Sequence, residues 1–284
     1  MRPPVSLMLR FRFLVPAAVL SFGFADLAAQ NDPAAQTPVD KGGGELDLSQ
    51  FPGQVVDEVI IPVPSEIFSV LDKLGDPDWK AQVSNGSRPN FSERTDVALL
   101  LGATVADGFI AVQAEDRKTV ETIGKDVLSL STALGIREDV LKHCQAIDDA
   151  AKASQWDQVR SELDATQNTV RAKMEALRDG ALAECVSVGG WLRGTEVATD
   201  VIRRDYSGDR AEVLLQPDLA DYFNDALEEM LTRARHADKL KAIADGVARL
   251  REIMQSGDDT LSEKAVREMH GITSTLVRSI TTKG

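Results

Sequence analysis

Eighteen consecutive residues, Val97 to Ala114, carry a single charge, Asp107. A helix this apolar on every side is either buried at the centre of a protein or lies in lipid. Eight strongly apolar residues in it (Val97, Leu99, Leu100, Leu101, Val105, Phe109, Ile110 and Val112) each favour insertion by about 0.3 to 0.6 kcal/mol. Asp107 opposes it by about 2.5 to 3.5 kcal/mol, and Gly102, Gly108 and Gln113 add to the penalty. The balance is near zero at best, so the stretch reads as a buried helix. Small residues at four-residue spacing (Ala98, Gly102, Ala106; Thr104, Gly108) allow neighbouring helices to come close.

A buried Asp107 needs a partner, because an isolated charge in an apolar interior is strongly unfavourable. The stretch Val188-Gly189-Gly190-Trp191-Leu192-Arg193-Gly194-Thr195-Glu196 offers Arg193 as the neutralising charge. Its glycines permit close backbone approach, and Trp191, with Glu196 beside it, is an interface candidate, since Trp and Arg commonly anchor interfaces. The alternatives are a raised Asp107 pKa serving a ligand or cation, and an interhelical corner with Trp191 in the core.

The rest of the chain follows a helical rhythm. Val120, Ile123, Val127, Leu130 and Leu134 share one face between a capping Asp116 and a stop at Gly135. Trp156, Val159, Leu163, Thr166, Val170, Met174 and Leu177 repeat at spacings of three and four, the pattern of helix-on-helix packing. Ser154 with Asp157, and Thr260 with Glu263, resemble capping boxes. Gly180, Gly189-Gly190 and Gly194 are expected to punctuate shorter helices, Pro217 to begin one, and a break is expected near His236. Residues 55–64 look extended, with Pro62 and Pro64 arguing against a central strand. The fold class is therefore all-α: an antiparallel multi-helix bundle with a disordered N-terminal tether and a short extended arm.

Arg2, Arg10 and Arg12 precede thirteen uncharged residues, Phe13 to Ala25, and then Leu27-Ala28-Ala29. That order is a secretory signal, with cleavage expected after Ala29. The divisions are a signal peptide at 1–29, a flexible linker at 30–50 and a helical domain at 51–284, with any subdomain break near 206–210. Losing the leader takes three basic residues and one acidic residue, moving the net charge from −13 to −15. So acidic a chain repels phosphate backbones and anionic lipid, which argues against nucleic-acid binding and against membrane insertion after cleavage. Export, to the periplasm of a Gram-negative bacterium or otherwise to the exterior, is the expected location. In such a compartment Cys144 and Cys185 are a possible disulfide, with two buried thiols as the alternative.

No phosphate loop, dinucleotide fingerprint, nucleophile elbow or metal-ligand spacing occurs, so no catalytic residue, metal or cofactor is assigned. His143, His236 and His270 lie far apart in sequence. The leading expectation is a non-enzymatic module that binds another protein or itself through helix faces. The alternative is a small-ligand or metal-binding bundle with Asp107 near its pocket. A polar pocket near Asp107 would favour the second, and a filled core with an exposed apolar groove the first.

Overall fold

The computed structural model describes residues 54–56, 59–61, 64–84, 91–233, 237–256 and 260–282; the expected signal peptide and linker lie outside them. Strands β1 (Gln54–Val56) and β2 (Val59–Ile61) pair antiparallel as a short arm, and β2 lies beside a later helix, α9 (Pro217–Arg233). All else of regular form is helical. Short helices α1 (Pro64–Lys73) and α2 (Trp79–Gln82) precede five long ones: α3 (Arg94–Gln113), α4 (Arg117–Leu134), α5 (Arg137–Lys152), α6 (Trp156–Ala176) and α7 (Gly180–Arg204). A short α8 (Gly208–Ala211) and a 3-10 turn (Glu212–Leu214) lead to α9, α10 (Asp238–Gln255) and α11 (Glu263–Thr281). Residues 47–284 form one compact unit.

The five long helices make an up-and-down ring. Each packs on the next through a turn of a few residues, and α7 returns to pack on α3. Neighbours are antiparallel, so the closing pair runs in the same direction. Arg94 meets Asp179 near the two helix starts and Asp107 meets Arg193 farther along, at almost the same offset in sequence, 85 and 86 residues. Helix α11 packs on both α7 and α3, and α10 joins α11 to α9. Helix α3 therefore has neighbours all round, and fifteen of its residues are buried. It is long and apolar enough to cross a membrane, yet protein covers 83% of that stretch.

Four successive turns of the ring share one construction. The helix ends, one residue takes a left-handed conformation, and the next amide reaches back five residues to a carbonyl of the last turn. The left-handed residues are Glu115 (φ 51°), Gly135 (φ 80°), Ser154 (φ 56°) and Arg178 (φ 57°). The returning bonds are Asp116 to Ala111, Ile136 to Ser131, Gln155 to Ala150 and Asp179 to Met174. Asp116 then caps α4 by accepting from the Thr119 amide, as its sequence position suggests.

Several sequence expectations need correction. Ser154 does not cap α6; it supplies the left-handed residue that ends α5. Ser262, not Thr260, caps α11, accepting from the Ala265 amide. The largest correction concerns the glycines at 180–194. They interrupt nothing: α7 is a single helix of 25 residues running through Gly189, Gly190 and Gly194. The role of Gly189, with Gly102 of α3, is packing. A Cβ on Gly189 would meet the Leu99 carbonyl oxygen at 2.1 Å, and one on Gly102 would meet that of Val186 at 1.9 Å. The α3 and α7 backbones touch here, which only hydrogen in place of a side chain permits.

Candidate functional site

Asp107 and Arg193 project from this central helix pair and meet in the interior. Arg193 Nε donates to Asp107 Oδ1 at 2.8 Å, with the two side chains 7% and 0% exposed. Every other arm of the guanidinium is also engaged. One terminal nitrogen donates to Glu196 Oε2 at 2.8 Å, and the other donates to the Gln82 carbonyl. Asp107 Oδ1 accepts a further bond from the Ser84 amide at 3.3 Å. Gln82 in turn donates from its side chain to Asp200 Oδ2 at 3.1 Å. The segment after α2 is thus pinned across α3 and α7 by buried charges.

Asp200 is the second anchor. Arg203, Arg204 and the His270 imidazole (3.7 Å) surround it, and His270 Nδ1 lies 3.3 Å from the Thr199 hydroxyl. Burial works against its charge. The bonds from Gln82 and Arg203, with the charges of Arg203 and Arg204, prevail and hold its carboxyl below the usual carboxylate range. Sequence reading missed Asp200, because Arg203 and Arg204 beside it resemble an ordinary helix-surface cluster.

The carboxylates of this network are each paired with a guanidinium, so its chemistry is that of a clasp, although Arg203 Nε is buried with no hydrogen-bond partner among the described residues. Among the described residues no three His, Cys, Asp or Glu side chains come together in a way that would hold a metal ion. His143 is held between two groups of α6, with Nδ1 3.2 Å from Glu162 Oε2 and Nε2 2.9 Å from the Thr169 hydroxyl.

Beside the clasp, the ring is hollow. A cavity of about 480 Å³ runs among α3 to α7, with α1, α9 and the 3-10 turn contributing to its walls. Both sequence neighbours of Asp107, Ala106 and Gly108, line it, while the carboxylate is engaged with Arg193. The walls are almost entirely apolar: Val105, Phe109, Ile123, Val127, Ile147, Leu163, Val170 and Val186 face it, and among the described residues no charged side chain lines it. Much of the repeating stripe on α6 serves this wall, whereas Leu177, beyond the helix end, is 53% exposed. Trp191 lines the cavity from α7. Its Nε1 donates to Gln216 Oε1 at 3.0 Å and its ring lies 5.3 Å from that of Phe223. Its place is the inner wall, not an outer face. Glu196 is turned to Arg193.

The two cysteines are free, so the possible disulfide is not formed. They point into different surroundings: Cys144 lines the cavity from α5, while Cys185 Sγ rests 3.7 Å from Met230 Sδ of α9. Burial pushes the Cys144 thiol up to about 11, against the pull of Arg137. Burial, with the negative charges of Glu184 and Asp96, pushes Cys185 to about 12. No protein-family model, curated protein or solved structure matches this chain.

Proposed function

We propose that this chain is a non-enzymatic small-molecule-binding protein that takes an apolar ligand into the hollow of the α3–α7 ring. The observation that carries the reading is the cavity: about 480 Å³, apolar in lining and without a charged wall residue among those described. Binding pockets for small molecules typically span about 300 to 1,000 Å³. Protein interiors are otherwise close-packed, and an apolar hollow of this size leaves its lining without partner atoms. A ligand that fills it supplies them. The N-terminal leader supports an exported location for this role. A protein-interaction role through helix faces has less support. The exposed large apolar side chains among the described residues are Leu177 and Tyr206, and Tyr206 donates its hydroxyl to the Leu261 carbonyl.

The test is fluorescence titration of the purified chain with N-phenylnaphthylamine, an uncharged dye that brightens in apolar surroundings. Saturable binding at one site is expected. Gly124 and Gly194 line the cavity with nothing within 4 Å of an added Cβ, so Gly124→Phe and Gly194→Leu place side chains in the hollow. Both are expected to abolish binding while leaving thermal unfolding cooperative. Undiminished binding in these folded variants, or no saturable binding at all, would sink the proposal.

A further inference from the structure

The cavity has a shape, and at one end of it a buried hydroxyl without a hydrogen-bond partner among the described residues. Along α4 its lining runs from Val120 to Ser131, and along α3 from Leu101 to Val112. Eleven residues of helix advance about 16 Å, so the hollow is long relative to its volume. Because α3 and α4 are antiparallel, Val112 and Val120 share one end, while Leu101 and Ser131 share the other. Gly108 close to Ile123, with 3.5 Å between an added Cβ and the Ile side chain, fixes this register.

Ser131 is fully buried, and its hydroxyl has no hydrogen-bond partner among the described residues. Its neighbours on the wall differ in this respect. The Thr166 hydroxyl donates to the Glu162 carbonyl, that of Ser187 donates to Ala183, and Gln216 is engaged with Trp191 and Val213. A buried hydroxyl left unpaired is unfavourable, whereas a turn of the Ser131 side chain toward the cavity and one polar ligand atom there would satisfy it. A hydroxyl both donates and accepts, so it suits an alcohol, a carbonyl or an ester equally.

We infer that the ligand is an uncharged single-chain amphiphile, a fatty alcohol or a neutral acyl compound, lying along the ring axis with its polar head on Ser131. This rests on the reading of the cavity as a ligand site. Its length suits an extended alkyl chain of roughly a dozen carbons at the ordinary carbon–carbon bond length. Among the described residues no charged group lines the cavity, which favours a neutral head: an ionised carboxylate would be desolvated there without a counterion from them.

Competition against N-phenylnaphthylamine tests the inference with dodecane, dodecanol and dodecanoate at pH 8, on the wild-type chain and on Ser131→Ala. In the wild type, dodecanol is expected to displace the dye at roughly three- to tenfold lower concentration than dodecane, the worth of one neutral hydrogen bond. Dodecanoate is expected to be weaker than dodecanol. In Ser131→Ala the advantage of dodecanol over dodecane should vanish while dodecane itself binds no worse. Equal affinities of dodecane and dodecanol in the wild type, or an advantage that survives Ser131→Ala, overturn the placement of the head. Tighter binding of dodecanoate than of dodecanol overturns its neutrality. If the dye binds but no twelve-carbon chain displaces it, the single-chain inference fails and the cavity reading stands. If the dye does not bind either, both fall.

Discussion

Gly102 of α3 lies so close to Val186 of α7 that a Cβ on it would stand 1.9 Å from the Val186 carbonyl oxygen and 2.8 Å from the Gly190 amide nitrogen. Both obstacles are backbone, so neither can swing aside. Gly102→Ala is therefore expected to separate the two central helices and destabilise the protein by about 3 kcal/mol or more, at the severe end of overpacking. Gly189→Ala, against Leu99, is expected to behave alike. Gly271, with nothing within 4 Å of an added Cβ, is the control: alanine there should stabilise by up to about 1 kcal/mol through helix propensity. Urea midpoints of the three variants, compared with wild type, check the contrast.

The same helix pair carries Asp107 and Arg193, which makes their contributions strongly coupled. Asp107→Leu leaves the guanidinium to Glu196 and the Gln82 carbonyl, and Arg193→Met takes the buried carboxylate's charged partner away; each breaks the buried pair and is expected to cost up to about 3 to 5 kcal/mol. Asp107→Asn keeps an acceptor for Nε and should be markedly milder. The double replacement, Asp107→Leu with Arg193→Met, removes both charges and should lose less than the sum of the singles. A double-mutant cycle by denaturant unfolding reads the coupling directly. Additive losses, or equal effects of Asn and Leu at 107, would contradict the pairing.

The legibility of this molecule divides along physical lines. The buried helix was visible because eighteen residues with one charge have few places to go, and Asp107 in it demanded a partner, which the Gly-rich stretch around Arg193 offered. The helix faces, the cap at Asp116 and the helix start at Pro217 are local signals and were equally visible. What failed was the meaning of Gly189 and Gly190. A helix break and a backbone contact place the same residue in the chain, and only the presence of α3 against α7 distinguishes them. Ser154 failed for a related reason, since a polar residue between two helices can close the first or cap the second. The cavity was hidden altogether. Its walls are mostly apolar side chains spread over seven helices and a 3-10 turn, and nothing in a helix's own periodicity separates a residue facing a hollow from one facing a neighbour.

The left-handed turns offer a stabilising prediction. Glu115, Ser154 and Arg178 hold φ between 51° and 57°, a region that crowds any Cβ. Glycine relieves the crowding, offset in part by its greater freedom in the unfolded chain. Glu115→Gly and Ser154→Gly are each expected to stabilise by about 0.5 to 1 kcal/mol and, being in different turns, to add. Thermal unfolding of the two single variants and the double variant tests this. Losses in both singles would contradict the backbone geometry.

Free cysteines with raised pKa values predict slow chemistry. The thiolate is the reacting species. With Cys144 near 11 and Cys185 near 12, against the ordinary 9.0, native alkylation by iodoacetamide at pH 8 should be at least ~100-fold slower than in the unfolded chain. Intact mass should show no adduct on the native protein and two after labelling in denaturant without reductant. Absence of adducts in denaturant would indicate a disulfide and contradict the free thiols.

Asp200 sets an acid limit on the clasp. Its folded pKa lies below the unfolded value near 3.8, so the unfolded state binds the proton more readily. The stability it contributes is fully present above the unfolded pKa and is lost as pH falls through the folded one. The window lies below about pH 4, and neutral pH is unaffected. Asp116 is shifted in the same direction, but it caps α4 through the Thr119 amide and remains in place when Asp200 is changed. Stability measured by urea unfolding between about pH 5 and pH 3 should therefore fall more steeply for wild type than for Asp200→Asn, leaving a residual slope from Asp116 and the other carboxylates. Parallel slopes would mean that Asp200 titrates alike in both states, and that the bonds from Gln82 and Arg203 do not favour its charged form.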